Sequence, residues 1–226
     1  MKEDIEINDI ESEKEPEFCF KLVMLGNSGV GKTSLVKYEI KNNFETSKDS
    51  TIIFEHSFKN YSILDKIVRL QIWDTCGDEI YYSSLKNFYR SAFCILLVFS
   101  LDDINSYYSL NRWIQDIKEN KNSDESFLVL IGNKLDNSND KLITKEMIDK
   151  FCKNNEIENY YEVSSKTGEN VHKMFKNIVK QLFVKFAMPI LDDNSENKNN
   201  SSSLKKKIFY FENSDSCCKD CFCYNQ

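Results

Sequence analysis

An α/β protein, built on a mostly parallel sheet with helices on both faces, is what this sequence predicts, and three observations predict it. Continuous apolar runs such as FCFKLVML and FLVLIG have the make-up of strands buried on both faces. Stretches of helical period alternate with them along the chain. A glycine-rich turn, GNSGVGKT, stands directly between the first such strand and the first such helix.

The elements follow in order. A strand over 18–25 stops at Gly26, and a helix is expected over 33–43. Two strands, 52–61 and 67–74, are joined by a short turn at 64–66, and a further apolar strand covers 92–101. Helical patterns over 104–120 and 144–154 flank the strand 127–132, and a short strand at 160–163 precedes a helix over 171–186. In such sheets ligands bind at the carboxyl ends of the strands, so motifs found there are expected to converge.

Composition divides the 226 residues into three regions: a disordered acidic arm (1–17), a central domain (18–188) and a flexible tail (189–226). The arm holds eight acids against Lys2 and Lys14, so the whole net charge of −6 resides there and the remainder is balanced. Nothing in this distribution suggests a nucleic-acid partner. The longest apolar run, 92–99, is too short to cross a bilayer, and the acidic N-terminus does not read as a secretion signal. Four of the eight cysteines fall in the last ten residues. A disulfide framework does not suit a chain without a secretory signal, and this crowded spacing is not that of a zinc module.

The run Gly26 to Thr33 fits G-x-x-x-x-G-K-[ST]. Its glycines let the backbone of Ser28, Gly29, Val30 and Gly31 wrap closely, so that N–H groups point inward at phosphate oxygens. The helix that starts near Lys32 and carries Ser34 adds its positive end. Lys32 supplies a point charge to the β- and γ-phosphates, and the Thr33 hydroxyl can ligate Mg²⁺.

The base is read from Asn133-Lys134-Leu135-Asp136, at the end of the FLVLIG strand. The Asp136 carboxylate can accept from both the ring N–H and the exocyclic amine of guanine, whereas adenine has no donor at that ring nitrogen. Lys134 can lie along the base and Asn133 can tie this loop to the phosphate loop. Ser164, Ser165 and Lys166 follow the last strand, where a backbone N–H can bind the guanine carbonyl oxygen. GTP/GDP with Mg²⁺ are therefore the expected cofactors.

With these motifs in order from about Phe20 to Phe186, the chain resembles a small GTPase of the Ras superfamily, with the P-loop NTPase fold, and most closely the Rab branch. LQIWDTCGDE (70–79) is similar to the Rab stretch LQIWDTAGQE, and NFYRSA (87–92) to the Rab segment ending YYRGA. The resemblance implies that Phe44 packs on the guanine edge and that Thr51 closes on Mg²⁺ and the γ-phosphate. It further implies that Asp74 holds Mg²⁺ through water and that the Gly77 N–H senses the γ-phosphate. Hydrolysis would then release both switch segments. Expected partners are an exchange factor, an activating protein, a GDP-dissociation inhibitor and effectors.

Two departures stand out. Rab proteins usually read IGVDF after the switch threonine; here the residues are Ile52-Ile53-Phe54-Glu55-His56. The aromatic positions that Rabs often present to effectors become His56, Trp73 and Phe88, with His56 expected to be half-buried. Asp78 stands where the family has a glutamine that orients the attacking water. A carboxylate accepts but does not donate, and its charge would lie near an anionic γ-phosphate. With Lys32, Thr51, Gly77 and Asp78 as the catalytic set, slow hydrolysis that depends on a helper is expected.

The tail pairs Lys205-Lys206-Lys207 with CCKDCFCYNQ. Its last four residues have C-a-a-X spacing, and Cys221-Phe222-Cys223 also resembles the paired cysteines that Rabs have geranylgeranylated. Cys221 and Cys223 are thus the expected lipidation sites, attaching the protein to the cytosolic face of an intracellular membrane and giving it a part in vesicle transport. A non-hydrolysing GTP-bound scaffold and a Ras- or Rho-type signalling GTPase remain as alternatives.

Overall fold

The computed structural model describes residues 5–11, 14–44, 54–77, 92–120, 126–140 and 143–191. Its strands are β1 (Ile7–Asp9), β2 (Phe18–Leu25), β3 (Phe54–Ile63), β4 (Lys66–Thr75), β5 (Cys94–Ser100), β6 (Phe127–Asn133) and β7 (Asn159–Glu162). Its helices are α1 (Lys32–Lys41), α2 (Ile104–Tyr108), α3 (Leu110–Asn120), α4 (Lys145–Asn154) and α5 (Val171–Leu182). The strands form one mixed, mostly parallel sheet in the order β1-β3-β4-β2-β5-β6-β7. β2, β5, β6 and β7 run parallel in succession, as crossover helices between them require. β5 is buried along its whole length, which means that both its faces are covered.

The chain gathers into two compact units. In the larger (21–59 and 71–177), Leu97, Phe99 and Leu130 form a core with Leu110 and Trp113 of α3. Tyr107 packs edge-on to Phe99 and donates its hydroxyl to the Met147 carbonyl at 2.7 Å, which fastens α2 to α4. Thr144 caps α4 by accepting from the Met147 N–H.

In the smaller (1–20, 60–70 and 178–226, as far as described), the two-residue turn Leu64-Asp65 joins β3 to β4 with φ of 48° and 61°. Two successive left-handed residues match the twist of a tight antiparallel hairpin. Phe18 meets Phe183 edge-on at 5.7 Å and Phe20 lies 6.2 Å from Phe186.

Three local expectations differ from the structure. The acidic segment, expected to lack structure, contributes β1, whose Ile7, Asn8 and Asp9 pair antiparallel with Ile63, Ser62 and Tyr61. The edge of β3 offers backbone donors and acceptors there, and a three-residue strand can satisfy some of them. The helix expected over 104–120 breaks at Ser109. That hydroxyl donates to the Asn105 carbonyl and accepts from Asn27, and such back-bonding bends helices. The last helix gives way after Leu182 to a π-helical turn, Phe183–Ala187, and helical geometry continues to residue 191, past the expected start of the tail. Pro189 has no N–H for the carbonyl four residues back, and the wider turn lies just ahead of it.

Candidate functional site

Every described residue of the expected site belongs to the larger unit. Between β2 and α1, Ser28 and Gly29 are exposed, Val30 is buried, and Thr33 and Ser34 occupy the first turn of the helix. Gly31 caps that helix at φ 93°, and a Cβ there would stand 2.3 Å from the Asn133 amide nitrogen. No other residue type fits both the conformation and the space. Gly77 is placed just as tightly: a Cβ on it would lie 2.1 Å from the Ser28 nitrogen. The end of the WDTCG stretch therefore rests on the Asn27–Ser28 peptide.

Lys32 is 5% exposed, and its ammonium donates to the carbonyls of Gly26 (2.7 Å) and Asn27 (2.9 Å). Burial pushes its pKa down to about 8 from the usual 10.5, against the opposing pull of Asp74. The Thr33 hydroxyl donates to the Asp74 carboxylate at 2.5 Å, and Asp74 is 2% exposed at the end of β4. A hydroxyl and a carboxylate held together beside a polyphosphate-type loop are hard oxygen donors, the chemistry Mg²⁺ requires. The residues present fit that ion.

At the end of β6, Asn133 is fully buried. Its amide donates to the Val30 carbonyl (2.8 Å) and to Ser165 Oγ (3.2 Å), and its oxygen accepts from the Ser165 N–H (3.0 Å). One side chain thus joins three loops. Lys134 adopts a left-handed backbone, φ 64°, and its Nζ lies 3.4 Å from Asp102. Asp136 accepts from the Ser164 hydroxyl at 2.6 Å and faces Lys166 Nζ at 3.6 Å. Ser164 also organises its own loop, since Thr167 N–H donates to its hydroxyl and Gly168 N–H to its carbonyl. Phe44 is half-buried at the end of a described segment. Thr51, Asp78, Phe88, Cys221 and Cys223 lie outside the described residues.

Two groups of contacts escaped the reading of the motifs. Asn27, a variable position of the glycine-rich loop, accepts from Trp113 Nε1 (3.0 Å) and donates to Ser109 (2.9 Å). Asp102 gathers Ser100, Lys134 and Asn137. Neither has a sequence spacing that marks it, although Asp102 follows the carboxyl end of β5, where ligand sites are sought. His56 is exposed rather than half-buried, with one face 4.9 Å from Trp73. Burial of that face, followed by the nearby Lys21 charge, lowers its pKa. Trp73 itself is 5% exposed, beneath Phe54, His56 and the Lys21 ammonium.

Comparison with known proteins agrees with this geometry. The family model described as Ras family matches residues 21–184. The chain is 33% identical over 177 residues to Ras-related protein Rab-13 of Bos taurus, covering 78% of this chain and 86% of the relative. It is 34% identical over 182 residues to Ras-related protein Rab-2B of Dictyostelium discoideum, covering 80% and 89%. It is 37% identical over 170 residues to Ras-related protein Rab-9A of Canis lupus familiaris, covering 72% and 82%. This chain belongs to the Ras family of small GTPases and stands with its Rab proteins.

Proposed function

We propose that the chain is a GTP/GDP switch that requires Mg²⁺, acts in vesicle transport, and occupies 18–188 with its nucleotide-binding domain. The observation that carries the reading is the Asn133 bridge: one buried amide holds the phosphate loop at Val30 and the base loops at Ser165. Lys32 is the ammonium for the β- and γ-phosphates. It now rests on carbonyls, and an incoming polyanion would restore the charge stabilisation that burial removes. Thr33 and Asp74, with Thr51, would hold Mg²⁺, which when bound offsets phosphate charge. Asp136 reads guanine, with Lys134 along the base and Phe44 at its edge. The N–H groups of Ser164, Ser165, Thr167 and Gly168 donate within the protein, so we assign the contact to the guanine carbonyl oxygen to Lys166 N–H. Equilibrium binding of GDP, GTP and ATP with Mg²⁺ tests this. GDP and GTP bind, and equal retention of ATP overturns the assignment.

Asp78 makes the intrinsic off-step slow and leaves it to an activating protein. Glutamine restores one donor and removes a negative charge, so Asp78→Gln speeds single-turnover hydrolysis by about tenfold, the lower part of the range for one catalytic hydrogen bond. An equal or faster wild-type rate dismisses the disabled-switch reading. A scaffold that holds GTP without turnover is the second reading, favoured by the same residue, and it requires that no phosphate be released in that assay.

Cys221 and Cys223 carry the lipid that brings the protein to membranes, where exchange factors, dissociation inhibitors and effectors of Rab type meet it. No described helix is long and apolar enough to cross a membrane. The Cys221→Ser, Cys223→Ser double variant keeps nucleotide binding and leaves the membrane fraction; continued pelleting with membranes rejects the anchor.

A further inference from the structure

The two lysines of the base-binding loops each face a carboxylate, in a specific pairing. Lys166 faces Asp136 at 3.6 Å, and Lys134 faces Asp102 at 3.4 Å. Asp102 belongs to neither loop. It follows β5 by two residues, and the Leu101 N–H between them donates to the Asn133 carbonyl at 2.9 Å, which places Asp102 beside the start of the base loop. Its oxygens are themselves held: Oδ1 accepts from Ser100 Oγ at 2.5 Å, and Oδ2 accepts from the Asn137 amide at 2.9 Å. The side chains of Lys134 and Asp102 are 34% and 22% exposed, so solvent screens the pair only in part.

We infer that Asp102 is a positioning residue for the base, acting through Lys134. This rests on the guanine reading proposed above. A lysine side chain loses much rotamer freedom when it is ordered, and a tethered ammonium lowers the further loss on binding a ligand. With the ammonium held at Asp102, the methylene stem of Lys134 is left as the surface for the purine. The tether has a second effect. A free ammonium two residues from Asp136 would compete with guanine donors for that carboxylate, and Asp102 gives it another partner. Burial alone would raise the Asp102 pKa, but the bonds from Ser100 and Asn137 and the Lys134 charge outweigh it and hold the pKa below the usual value. The tether is therefore charged at neutral pH.

The test is a double-mutant cycle on full-length protein, with the GDP dissociation rate as the readout. Asp102→Asn keeps the size of the side chain and removes its charge. It is expected to speed GDP release about fivefold, the scale of a partly exposed ion pair. Lys134→Met keeps an apolar stem and removes the ammonium, and in that background Asp102→Asn is expected to change nothing further. Asp102→Glu, which retains the charge, restores part of the slow release. If Asp102→Asn speeds release equally in both backgrounds, the residue is merely structural and the inference falls. It falls likewise if the single variant releases GDP at the wild-type rate. A wild-type protein that retains no GDP rejects the guanine reading itself, a result distinct from either.

Discussion

The loop from Gly26 to Thr33 and the pair of loops around Asn133 and Ser164 are held by different means. The first is shaped by backbone: a left-handed glycine caps the helix, and one 5%-exposed ammonium rests on two carbonyls. The second is shaped by side chains: Asn133, Asp136, Ser164 and Ser165 hydrogen-bond to one another across gaps of about thirty residues. Backbone shape depends on local residue type, so a fixed run of letters records it. A side-chain network depends on what the fold brings together, so its members are scattered. The first loop should therefore fail through sterics and burial, and the second through mispairing.

The largest expected effect lies in the second loop. Asp136→Asn exchanges two acceptors for one acceptor and one donor, and xanthine presents a carbonyl where guanine has its amine. The ratio of guanine to xanthine affinity is expected to fall by a factor on the order of 10⁴, as for sites built around a specific polar group. Competition of GDP against xanthosine diphosphate measures it. An unchanged ratio would move base reading away from Asp136.

The next effect belongs to the buried ammonium of the first loop. In the free protein Lys32 loses its proton near pH 8, whereas a bound polyphosphate raises that pKa. GDP affinity is expected to be flat below about pH 8 and to fall by up to tenfold per pH unit above it. Stability of the nucleotide-free protein carries the opposite sign. The unfolded chain holds this proton up to the ordinary 10.5, so the Lys32 contribution favours folding increasingly as pH rises from about 8. Affinity that stays flat through pH 9 would mean that neutral Lys32 serves as well, or that its charge is never lost.

The smallest effect tests a side-chain anchor of the first loop, the bond between Trp113 and Asn27. Trp113→Phe keeps the ring in the core and deletes the N–H that donates to Asn27. It is expected to cost about 1 kcal/mol and lower the Tm by a few degrees. GDP release is expected to quicken alongside. Loss of stability with unaltered release would show that the loop keeps its shape without Asn27, and the contrast between the loops would sharpen.

The same distinction explains what was legible before the fold was known. The strand over 18–25 and the hairpin turn at 64–66 follow from an apolar run and from the short break between two strand-like runs, both local properties. The break at Ser109 was hidden because the partner of its hydroxyl, Asn27, is eighty-two residues away. β1 was hidden because Ile7–Asp9 has little strand character of its own and takes its form from the edge of β3.

From the letters alone came the glycine-rich loop, the NKLD and SSK loops, the carboxylate at position 78 and the cysteine-rich end. Each is a short run whose residue types are dictated by backbone space or by the chemistry of a ligand. The letters also led us to expect Asn133 to tie its loop to the phosphate loop. Only the folded chain decided that it does so at the Val30 carbonyl, that Trp113 holds Asn27, and that Asp102 faces Lys134. Those contacts join residues 32 to 103 positions apart. A side chain's partner across such a span is set by which strands are neighbours in the sheet, and no local preference encodes it.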